Sequence, residues 1–85
     1  MGKWEKLLAR VLSGKSDANI RFDALCGLLE HLGLERRTGG KHRVIFSRED
    51  IPEPLNLQPV DRGHEAKPYQ VKQVRSYLKR YKIGV

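Results

Sequence analysis

The sequence predicts a single α+β domain spanning 1–85, with two helices, three antiparallel strands and a final helix in that order. Three observations carry this. Apolar residues recur at helical spacing in the first third of the chain and again near its end. Between those regions the period shifts towards alternation around a double-glycine turn. The composition, 39% hydrophobic and 32% charged over 85 residues, is that of one small globular domain.

The first helix is predicted from Trp4, Leu7, Leu8, Val11 and Leu12, an i, i+3, i+4, i+7, i+8 pattern that puts one apolar stripe on a helix. Ser13-Gly14 ends it, and residues 15–19 form a polar connection. The second helix is predicted from Phe22, Leu25, Cys26, Leu28, Leu29 and Leu32, with Asp23 in its first turn and Gly33 just past its end. Leu34 to Thr38 and His42 to Phe46 then read as a hairpin across Gly39-Gly40. Residues 47–54 contain two prolines and an acidic run, which makes a wide connection. Leu55 to Val60 is the third strand, weakened by Pro59. Pro68 suits the first position of the last helix. Val71, Val74, Leu78 and Tyr81 form its stripe, with Gly84 predicted to end it.

The net charge is +7 and it is unevenly placed. Residues 1–35 carry five bases and five acids, so the whole excess lies in 36–85. From Ala66 onward there are six bases and no acid. Such asymmetry suits a polyanionic partner, because lysine and arginine gain by releasing counterions from phosphates. It also suits a solvated surface. Apolar runs are too short to span a membrane. The start, Met1-Gly2-Lys3-Trp4-Glu5, has no signal core. Together these predict a cytoplasmic protein.

His42 is the sharpest candidate for chemistry. It follows the glycine turn and stands between Lys41 and Arg43. A histidine there can exchange a proton near neutral pH, and the flanking cations can stabilise a charged phosphorane. The plain alternative is a surface histidine that opens a strand. His31 reads as a solvated residue near a helix C-terminus, and His64 as a loop residue with a weaker claim. The one cysteine, Cys26, reads as a small core residue. No metal site is expected, because the histidines lack ligand spacing and carboxylates are few. No phosphate-cradling or dinucleotide motif is present. Phe46 and Trp4 read as core, and no strip of exposed aromatics on neighbouring strands is evident.

The run Leu28-Leu29-Glu30-His31-Leu32-Gly33-Leu34-Glu35-Arg36-Arg37-Thr38-Gly39-Gly40-Lys41-His42 resembles the signature of HicA toxins. So do residues 12–20, 55–59 and 66–75, in the same order, so that the resemblance covers nearly the whole chain. It implies a fold like a double-stranded-RNA-binding domain, with helices on one face of a three-stranded sheet. It implies a toxin-type ribonuclease acting on mRNA and a HicB-like antitoxin partner. It places the catalytic role on His42. Two positions depart from the family: Lys41 stands where serine or threonine often precedes the histidine, and Arg21 where a serine cap is common.

Three activities follow as expectations. In the first, the chain is a metal-independent endoribonuclease needing no small-molecule cofactor. There His42 handles a proton of the 2′-hydroxyl or the leaving 5′-oxygen. Lys41 and Arg43 stabilise the phosphorane, and Arg36, Arg37, Lys72, Arg75 and Lys79 hold the RNA backbone. The second is a non-catalytic RNA- or DNA-binding module of the same fold. The third is a domain that docks an acidic protein.

Overall fold

A computed structural model describes residues 2–15, 17–38, 43–58 and 65–84. The periodic apolar segments form helices α1 (Lys3–Ser13), α2 (Phe22–His31) and α3 (Pro68–Arg80). A short 3-10 turn, Asp17–Asn19, sits in the polar connection. Strands β1 (Glu35–Thr38), β2 (Val44–Ser47) and β3 (Leu55–Leu57) make one antiparallel sheet in the order β1-β2-β3. This is the α+β architecture and element order the sequence predicts. β2 begins later than expected, at Val44, and β3 is shorter. Residues 59 and 60, the expected end of that strand, lie outside the described residues.

Register decides which side chains meet. Val44 faces Leu57 and Phe46 faces Leu55, and all four are buried. They form the sheet's inner face, on which the helices pack. Ile45 and Asn56 face each other on the outer side. The core continues through Leu25, Leu28 and Leu29 of α2 and Val71, Val74 and Leu78 of α3. α1 contributes Val11 and lies against both other helices. Trp4 packs at the margin, its ring stacked on His31 at 5.8 Å. A Cβ at Gly27 would lie 2.5 Å from Trp4 Cη2, so any larger residue there would push the Trp4 ring off α2.

α3 also seals one edge of the sheet. Gln70 Nε2 donates to Gln58 O at 2.6 Å, Gln73 Nε2 to Asn56 O at 3.0 Å and Tyr77 Oη to Glu53 O at 2.8 Å. The helix spacing i, i+3, i+7 thus follows carbonyls of β3 and of the residues on either side of it. Covering an edge strand in this way lowers its tendency to pair with another chain. Gln70 is 1% exposed, and its Oε1 accepts from Lys67 N at 2.9 Å. Gln70→Leu removes both bonds and leaves the part-buried Gln58 carbonyl and Lys67 N–H without these partners. Unfolding in urea should show a loss of ~2–3 kcal/mol. A loss below about 0.5 kcal/mol would mean that water satisfies both groups.

α2 and α3 stop in the same way. Beyond α2, Gly33 N donates to Glu30 O and Leu34 N to Leu29 O, with Gly33 at φ 92°. Beyond α3, Lys82 N donates to Lys79 O and Ile83 N to Leu78 O, with Lys82 at φ 53°. Both are paired bonds of the Schellman type, closed by a buried apolar residue, Leu34 or Ile83. The stop of α3 therefore falls on Lys82 rather than on Gly84, because Ile83 must turn back onto Leu78. A lysine in the left-handed region is strained. Lys82→Gly should stabilise by ~1 kcal/mol, read as a higher urea midpoint at constant slope. No gain would show that the strain is offset by greater chain freedom in the unfolded state.

Candidate nucleic-acid interface

His42 and Lys41, with Gly39 and Gly40, lie outside the described residues, as does His64. Thr38 faces Val44 across the hairpin, and Val44 faces Leu57. Gln58, next along the chain, receives the Gln70 bond. So Thr38, Arg43, the end of β3 and the first turn of α3 share one end of the sheet. The start of α3 is fixed there again by Ala66 N donating to Ile20 O at 2.7 Å, with Ile20 and Ala66 both buried.

The structure sorts the seven bases expected to contact RNA. Arg43, Lys72 and Lys79 are exposed and make no ion pair among the described residues. Arg36 and Arg37 are exposed on β1. Arg36 lies on the core side of the sheet opposite Phe46, and its Nη1 stands 3.6 Å from Glu30 Oε1 on α2. Arg37 lies on the outer side opposite Ile45, with Nε 3.4 Å from Glu35 Oε1. Such exposed pairs are weak and can be exchanged for a phosphate at little cost.

Arg75 is different, because its guanidinium is already held by other groups of the fold. Its Nη1 donates to Asp17 Oδ1 at 2.9 Å and to Val11 O at 3.2 Å. Its Nη2 donates to Asp17 Oδ2 at 3.3 Å. The two side chains are 19% and 12% exposed. The guanidinium thus grips a carboxylate with both arms while satisfying a carbonyl at the C-terminal end of α1. It locks α1 and the 3-10 turn onto α3 and has little left to offer a phosphate.

The same device recurs at α2. Arg48 Nη1 donates to Leu32 O at 3.2 Å, while Nε and Nη2 hold the Asp50 carboxylate at 2.6 and 2.8 Å. That hydrogen bonding holds the Asp50 carboxyl below its usual range. Arg80 pairs with Glu53 at 3.1 Å. Arginines therefore carry these ion pairs, and Lys72 and Lys79 carry the charge on α3 that has no ion pair among the described residues.

Cys26 is 1% exposed. Burial raises its thiol to about 11, although nearby Arg36 opposes this. It stays protonated at neutral pH and belongs to the core rather than to a reactive site. His31 is exposed and lies against the Trp4 ring, a contact that sequence spacing did not disclose. Among the described residues no helix is long and apolar enough to cross a membrane. Compared with protein-family models, with curated proteins and with solved structures, the chain finds no match.

Proposed function

We propose that the chain is a toxin-type endoribonuclease of the HicA kind, cytoplasmic, acting on mRNA without a metal and neutralised by a HicB-like antitoxin. The observation that carries this reading is a juxtaposition. Thr38 and Arg43, on either side of residues 39–42, share one end of the sheet with the first turn of α3. From there α3 carries Lys72 and Lys79 exposed and has no acid of its own.

RNA brings its own nucleophile. The 2′-oxygen attacks the adjacent phosphorus and loses its proton, and the 5′-oxygen leaves and gains one. His42 performs one of these transfers, and a second group performs the other. Lys41 and Arg43 stabilise the extra negative charge on the phosphorane. Arg37, Lys72 and Lys79 position the backbone by charge.

This chemistry fixes the product ends. Cleavage of a defined mRNA fragment should leave 2′,3′-cyclic phosphate and 5′-hydroxyl termini. Termini bearing a 5′-phosphate would mean that water attacks instead, and the proposal would fail. The second reading, a non-catalytic RNA- or DNA-binding module, draws on the same exposed Lys72 and Lys79, neither of which requires a histidine. In that case RNA binds and remains intact.

A further inference from the structure

We infer that the solvent face of α3 is a track for single-stranded RNA, on which Tyr69 stacks a base while Lys72 and Lys79 hold phosphates. The inference deepens the RNA-directed reading above and rests on it.

α3 carries three tyrosines, and two are committed to the fold. Tyr77 is buried, donates to Glu53 O and meets the Tyr81 ring edge-on at 5.1 Å. Tyr81 is also covered by the Arg80 guanidinium at 5.5 Å. Tyr69 is 59% exposed, and its ring and hydroxyl have no partner among the described residues. A lone exposed tyrosine is ordinary on a surface. What surrounds this one is not. Tyr69, Lys72, Ser76 and Lys79 follow i, i+3, i+7, i+10, which places them on one face. All four are exposed. No carboxylate on α3 competes for the lysines, and the acids that reach the helix take Arg75 and Arg80 instead.

The dimensions suit a strand. At 1.5 Å per residue, Lys72 and Lys79 are separated by about 10 Å along the axis. That is about three stacked nucleotides at ~3.4 Å each. Beside the stripe, Glu53, Asn56, Gln73, Ser76 and Arg80 line a shallow groove between α3 and β3, where the Glu53 charge is offset by Arg80. Tyr69 stands at the end of α3 that shares the sheet's end with Arg43. Along α3, a strand running toward that end of the sheet passes Lys79 and Lys72 before it reaches Tyr69. A tyrosine face accepts any base, and single-strand binders combine this stacking with a cationic path.

The test is binding of a labelled 2′-O-methyl oligoadenylate, which lacks the attacking hydroxyl and stays intact. Tyr69→Ala should weaken binding by about 5- to 150-fold, the usual cost of losing one base–aromatic stack. Tyr69→Trp should bind within about threefold of wild type, since a larger ring stacks as well. Lys72→Gln and Lys79→Gln should each reduce the slope of log affinity against log salt by ~0.7. Urea midpoints should not move for any of these exposed positions. Unchanged binding by Tyr69→Ala, with weakening by the lysine variants, overturns the stacking role and leaves the RNA reading standing. If wild type fails to bind the oligonucleotide at low salt, both the track and the RNA reading fall.

Discussion

Replacing Arg75 by alanine should lower the unfolding free energy by ~2–3 kcal/mol, below the 3–5 expected for a fully buried pair because this one keeps some exposure. For a chain of this size that is a fall of roughly 10–20 °C in the thermal midpoint. The loss has two parts. The Asp17 carboxylate, 12% exposed, is left without its counter-charge. The Val11 carbonyl at the end of α1 loses its donor. Arg75→Lys should recover little, because one ammonium cannot make the two-armed contact. Asp17→Asn should cost less than Arg75→Ala, since the amide oxygen still accepts a bond. The double variant should lose less than the two single losses combined, because both remove the same contact. RNA affinity, measured well below the new midpoint, should stay within about threefold of wild type, because the Arg75 guanidinium is committed to Asp17 and Val11 O rather than to solvent. The opposite pattern, stable protein with weakened RNA binding, would return Arg75 to the phosphate-contacting set.

Arg75 also shows where sequence reasoning stops. Its position off the apolar stripe of α3 was legible, and so was its charge. Its partner was not, because Asp17 lies 58 residues away and only folding brings the two together. Gln70 was hidden for a related reason. A polar residue beside Val71 reads as surface, and only the packing of α3 against the β3 edge reveals a buried amide with two jobs. By contrast, the helices were legible from Trp4-Leu7-Leu8-Val11 and Phe22-Leu25-Cys26-Leu29, since their spacing matches the helical period. Gly33 marked the end of α2 because a left-handed turn favours glycine. The same rule failed at α3, where Gly84 was expected and Lys82 takes the turn. There the pull of Ile83 into the core outweighs the preference for glycine.

The candidate site was only partly legible. Charge distribution separated the acid-free last helix from the balanced first third of the chain. It could not separate an arginine locked to Asp17 from a lysine open to solvent, because pairing depends on which carboxylates fold nearby. Of the bases named from sequence, Arg43, Lys72 and Lys79 are the exposed ones without an ion pair among the described residues. Tyr69 was missed altogether. Its only sequence signal was that it falls off the stripe of Val71, Val74 and Leu78, on the side shared with Lys72 and Lys79. His42 was named from its glycine turn, its cationic neighbours and a family resemblance, and its role rests on chemistry that can be measured.

That measurement is cleavage of a defined mRNA fragment in EDTA by wild type and by His42→Ala. Urea midpoints and binding of the 2′-O-methyl oligonucleotide should be recorded for both proteins, so that a fold or affinity defect cannot imitate a catalytic one. The account predicts that wild type cleaves in the chelator. The variant should cleave about 10²- to 10⁴-fold more slowly, the usual worth of a positioned acid or base, with midpoint and binding unchanged. Equal cleavage by His42→Ala, or loss of wild-type cleavage in EDTA, would contradict it.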